Sequence, residues 1–100
     1  MYKVSTFFGT YNVSLSKKNY VNNGNLAIQM YDADDGCPFA TLTVNLGKKL
    51  DADVAYVDTN NCPWAEEFIL ENELGEPTDR IGQSGFCFYP QYRFDLSKIA

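Results

Sequence analysis

One hundred residues suffice for a single small domain, 1–100, and eight basic against thirteen acidic side chains leave it a formal charge of −5. At this size a chain covers roughly 60–65% of its unfolded surface, so a core without metal or disulfide is feasible. The charge disfavours nucleic acid and anionic membrane as direct partners. No apolar run nears the ~20 residues of a membrane span, and "MYKVSTFFGTYNVSL" has no continuous apolar secretory segment, so the expected compartment is the cytoplasm.

"YKVSTFFGTYNVSLS" alternates apolar and polar residues in two pieces about Gly9, which suits paired strands or one bulged strand. Asn23-Gly24 centres a polar turn. Leu26, Ile28 and Met30 then share one face of "LAIQMY", and Ala40, Leu42, Val44 and Leu46 share one face of "PFATLTVNL". With Asp34-Asp35-Gly36 between them, these segments read as a hairpin. After "GKKLDADV", the short apolar "VAYVD" reads as a central strand. A helix is expected from Pro63, which fits a first turn, to Gly75, which suits a left-handed terminus: about twelve residues, or ~18 Å. "GEPTDRIGQSG" reads as a connection and "FCFYPQYRFDL" as a last strand, at an edge or bulged because of Pro90. The expected fold is α+β, an antiparallel sheet of about five strands with one main helix on one face.

Cys37, Cys62 and Cys87 lie 25 residues apart, an odd number without C-x-x-C spacing, and are expected to be reduced and partly buried. Cys62, at the expected helix start, has the position of an activated nucleophile. A cysteine hydrolase also needs a base, however, and the chain has no histidine. Asp58, Glu66 and Glu67 would oppose thiolate formation, so a capping or packing role is expected. "DADDG" departs from a calcium loop, with Gly36 one residue early and Thr43 at the twelfth position, and reads as a turn. The sequence therefore points to no enzyme, no metal site and no cofactor. Arg80 and Arg93 are expected to pair with local carboxylates. Lys3, Lys17 and Lys18 beside Tyr2, Tyr11 and Tyr20 are too few for a single-stranded nucleic-acid platform.

Charge is unevenly spread. Residues 1–31 carry no acid, and residues 50–79 carry nine acids and no base. On a helical wheel Trp64, Ala65, Phe68 and Ile69 face the sheet with Asn72, Glu66 and Glu73 lie opposite with Leu70, and Glu67 and Glu71 flank them. Glu66, Glu67, Glu71 and Glu73 are thus candidate charge contacts around Leu70 as an apolar anchor, for a protein partner with a basic surface.

"MYKVSTFFGTY", "NGNLAIQMYD", "PFATLTVNL", "YVDTNNCPWAEEFI", "LGEPT" and "YPQYRFDL" together resemble a family of small domains of unknown function carried by conjugative and other mobile elements of Gram-positive bacteria. Proteins of this size and setting include anti-CRISPR and antirestriction inhibitors. By that analogy the resemblance implies a non-catalytic inhibitor whose acidic face blocks the basic nucleic-acid channel of an RNA-guided nuclease. The alternative is an interaction or regulatory module of the same element unrelated to host defence.

Overall fold

The structure, a computed structural model, describes residues 1–99. Its strands are β1 (Tyr2–Thr6), β2 (Gly9–Asn19), β3 (Leu26–Asp32), β4 (Pro38–Thr41), β5 (Thr43–Val44), β6 (Val54–Val57), β7 (Gly75–Ser84) and β8 (Cys87–Phe94). One helix, α1 (Ala65–Glu71), stands between β6 and β7, and a 3₁₀ turn spans Leu96–Lys98. The strands form two four-stranded antiparallel sheets, ordered β1-β2-β3-β4 and β5-β6-β8-β7. The protein is thus mainly β, and the single sheet of about five strands is replaced by two. Among the described residues no helix is long and apolar enough to cross a membrane.

The first three strands follow the alternation in the sequence. Val13 and Leu15 of β2 and Leu26, Ile28 and Met30 of β3 point into the core, while neighbouring positions are more exposed. Of the two readings about Gly9, the paired strands form, with Phe7 and Phe8 at the hairpin tip. "PFATLTVNL" instead divides at Leu42. This fully buried residue donates its N–H to Ile28 O and accepts from the Asp58 N–H, both at 2.9 Å, fastening one sheet to the other. A residue buried between two sheets serves both better than a straight strand could.

The 75–85 segment is the largest correction. It forms β7, hydrogen-bonded to β8 from Gly75↔Phe94 to Ser84↔Cys87. Being an edge strand with mostly exposed side chains, it has no apolar alternation to betray it. Its register shifts between Pro77 and Ile81, where Asp79 takes φ 70°, an irregularity that blunts the sheet edge. β8 lies inside the sheet between β6 and β7, so Pro90 marks no edge; the bulge beside it belongs to β7. The two-residue turn Gly85-Phe86, with Gly85 at φ 61°, has the glycine-first form that suits a hairpin's twist.

Both sheets and the helix share one core. It includes Val4, Ile28 and Met30 from the first sheet, Val57, Tyr92 and Phe94 from the second, and Ala65, Phe68 and Ile69 from α1. Tyr11, Phe39, Trp64 and Phe68 make a chain of tilted and edge-on ring contacts 5.3, 5.8 and 6.2 Å apart, linking β2 and β4 to the helix. Trp64, Phe68 and Ile69 therefore hold the helix as the sequence indicates.

Candidate functional site

The turn before α1 is organised by Asp58, whose carboxylate accepts from the Asn61 N–H at 3.2 Å and from Asn61 Nδ2 at 3.0 Å. The Asp58 carbonyl accepts from the Cys62 N–H at 2.9 Å. Cys62 is buried, with its thiol 3.7 Å from Thr41 O. Burial, and then the Asp58 charge, push this thiol up to about 11, so it is neutral at pH 7 and serves the junction between the sheets. Cys37 is exposed and Cys87 half-buried, so of the three thiols only Cys62 is buried.

The helix is shorter than its sequence signals indicate. It starts after Trp64, which makes no side-chain cap, and Glu71 is its last residue. Glu73, at φ 53°, supplies the left-handed residue expected at Gly75, and the Leu74 N–H returns to Ile69 O at 2.9 Å. Leu74 is fully buried, so the apolar contact closing the helix outweighs the strain of a non-glycine there. Gly75 instead allows close strand pairing, since a Cβ on it would lie 2.6 Å from Arg93 O.

The five candidate residues, Glu66, Glu67, Leu70, Glu71 and Glu73, are all exposed, but their circumstances differ. Glu66 accepts a 2.8 Å hydrogen bond from the Tyr92 hydroxyl, which ties it to the second sheet and away from the freely solvated face the wheel assigns it. Glu67 and Glu71 stand one turn apart, and the hydrogen bond and charge of Glu67 raise the Glu71 carboxyl above its ordinary value. The Glu73 carbonyl accepts from Lys98 Nζ at 2.8 Å while its carboxylate stays unpaired among the described residues. The ion pairs found there are those of Arg93 with Asp51 at 3.4 Å and Asp53 at 2.6 Å, and neither involves these glutamates. Arg93 thus pairs with local carboxylates as the sequence indicates, whereas Arg80 makes no ion pair among the described residues.

Leu70 and Glu73 form one wall of a groove of about 480 Å³, completed by Gly75 and Glu76 of β7, the end of β8 and Asp53. Asp53, Glu73, Glu76 and Asp95 rim it, Leu70 and Phe94 supply apolar surface, and Arg93 is its only base among the described residues. Hydrogen bonds from the Ser97 hydroxyl and N–H hold the Asp95 carboxyl below its ordinary value, keeping it charged. Such a groove suits a cationic side chain with an apolar stem, as lysine and arginine have. Asp53 and Glu76 belong to the acid-rich stretch visible in the sequence. Phe94 and Asp95 arrive from the chain's end, where no spacing announces them. Among the described residues no three histidine, cysteine or carboxylate side chains gather to hold a metal ion.

Fold and groove define a small two-sheet β domain with one short helix and an acidic recess at the helix's end. Residues 14–100 match the family model described as a domain of unknown function, DUF4313, and the chain belongs to that family. No curated protein and no solved structure matches the chain.

Proposed function

We propose that this protein is a non-catalytic binding module whose acidic groove receives basic side chains of a protein partner. The observation that carries the reading is the groove itself: four carboxylates around exposed Leu70, with a single base among the lining residues. Charge accelerates encounter with a basic surface and the apolar floor adds affinity. A seven-residue helix is ~10 Å long, over which a DNA duplex would display about six charges. Glu66, Glu67 and Glu71 are only three, so the fit is to discrete lysine or arginine side chains instead of to a surface that reads continuous phosphates.

In its finer form the proposal is inhibition of an RNA-guided nuclease by occupation of its basic nucleic-acid channel, supported by the acidic surface and by the resemblance to domains carried on mobile elements. The test replaces three residues that line the groove, Leu70, Glu73 and Glu76, with lysine and leaves Glu66 to its structural bond. Wild-type protein should slow cleavage by a purified guided nuclease, and the triple variant should not, with unchanged far-UV dichroism. Equal inhibition by both proteins refutes the acidic face. Groove-dependent binding to a lysine-rich peptide without any effect on cleavage assigns the module a partner unrelated to host defence.

A further inference from the structure

Arg93 separates the acidic groove from a second concavity, of about 510 Å³, on the outer face of the second sheet. Tyr56 of β6 and Gln91 and Arg93 of β8 form its floor; residues 48–51 make one wall and Arg80 of β7 the other. Lys48, Lys49, Arg80 and Arg93 meet here, half of the eight cations of a chain whose formal charge is −5. Asp51 is the one acid in the lining, and it is engaged with Arg93.

The unused polar groups here are donors. The Lys48 and Arg80 side chains have no partner among the described residues, and Lys49 Nζ spends one of its three protons on Asn23 O at 2.9 Å. Gln91 is 6% exposed. Its carboxamide oxygen accepts from the Thr78 hydroxyl at 2.7 Å, which fixes the group's orientation, and its nitrogen has no acceptor among the described residues. Tyr56 is 8% exposed, and its hydroxyl is likewise without a partner there. Among the described residues no buried side-chain nitrogen or oxygen lacks a partner, so these two donors reach solvent at the recess and are free to bond a ligand rich in acceptors.

We infer that this cavity binds a small phosphate ester of sugar-phosphate or mononucleotide size. Lys48, Lys49 and Arg80 neutralise the phosphate, and Gln91 and Tyr56 donate to oxygens of the ester or its organic body. Pockets for small ligands run to roughly 300–1,000 Å³, which includes this one. A long polyanion is disfavoured, because it would leave the recess and run over a surface of net negative charge.

Calorimetric titration of the full chain at low salt with inorganic pyrophosphate, ribose 5-phosphate, AMP, adenosine and a single-stranded oligothymidylate tests this inference. AMP or ribose 5-phosphate should bind saturably and adenosine should not. AMP tighter than ribose 5-phosphate identifies a nucleotide, and equal affinity a sugar phosphate. Lys48→Glu with Arg80→Glu should weaken binding at least about tenfold. Lys48→Gln with Arg80→Gln, which removes the attraction without adding repulsion, should also weaken binding, though by less, with thermal unfolding unchanged. Absence of saturable binding by both esters, undiminished affinity in both double variants, pyrophosphate binding tighter than either ester, or oligothymidylate binding tighter than AMP would overturn the assignment.

Discussion

The bond from Tyr92 to Glu66 makes one member of the acidic set structural, and its worth can be measured. The Tyr92 ring is 1% exposed and its hydroxyl lies 2.8 Å from Glu66 Oε1, bridging β8 to the first turn of α1. Glu66→Ala leaves that hydroxyl without its acceptor, at a cost of about 1–3 kcal/mol, whereas Tyr92→Phe removes the donor and returns the carboxylate to water, at about 1 kcal/mol. Once the hydroxyl is gone, truncating Glu66 should cost little, so a double-mutant cycle should give about 1–2 kcal/mol of coupling. A domain of this size has about 5–15 kcal/mol in all, and each kcal/mol moves its Tm by about 4–8 °C. Glu66→Ala alone should therefore lower Tm visibly, while Glu66→Gln, which keeps an acceptor, should recover most of the loss. Urea unfolding of the four proteins supplies the cycle. Coupling below about 0.3 kcal/mol, the range of independent sites, would show that the bond does not hold the helix and that Glu66 is free to act with its neighbours.

Three further outcomes are expected. Cys62 should resist alkylation in the folded protein while exposed Cys37 reacts, as peptide mass mapping would show; with its folded pKa raised from 9.0 to about 11, it contributes stability that is intact below pH 9 and lost as pH rises toward 11, and Cys62→Ser should flatten that decline. Glu71 binds its proton more tightly folded than unfolded, so stability falls as pH rises through its titration; Glu71→Gln should raise Tm at pH 7, with the gain vanishing once the pH is low enough to protonate Glu71. Gly82→Ala would place a methyl 2.5 Å from Leu46 Cδ1 and 2.7 Å from the Tyr56 ring; the leucine end can rotate but the buried ring cannot, so urea unfolding should show a loss of about 1–3 kcal/mol.

What the sequence discloses and what it conceals follow from how each element is stabilised. β3 buries one face, and its alternation is plain in "LAIQMYD"; β6 is buried throughout, and "VAYV" is correspondingly apolar. β7 draws its stability from backbone pairing with β8 and from two close approaches at Gly75 and Gly82, so its side chains carry polar and turn-forming types that imitate a loop. The division at Leu42 is hidden for another reason: every apolar residue of "PFATLTVNL" fits one strand, and only burial between two sheets makes Leu42 the point of departure. At the helix end, Gly75 is the better intrinsic choice for positive φ, yet burial of Leu74 sets the terminus two residues earlier. The acid-rich stretch is legible because acids crowd one part of the chain, but of the five candidate residues only Leu70 and Glu73 line the groove. The Tyr92 bond and the contributions of Phe94 and Asp95 are not legible, because they depend on which strands become neighbours.

The net charge conceals more than any local pattern does. A value of −5 describes an acidic molecule, but the surface is divided: carboxylates rim the groove at the end of α1, and half of the cations converge on the outer face of the second sheet. Asp51 and Asp53 cross-link Arg93 at the boundary, so this cation is fixed where both recesses meet. The two faces therefore present opposite charge, which is the basis for the two proposed partners, a basic protein for one and a small anion for the other. Because Arg93 lines both, an anion drawing its guanidinium from Asp53 would expose that carboxylate more fully to the groove, so phosphate-ester binding should strengthen the capture of basic side chains there. Titration of a lysine-rich peptide with and without saturating AMP measures this coupling; equal affinity would show that the recesses act separately.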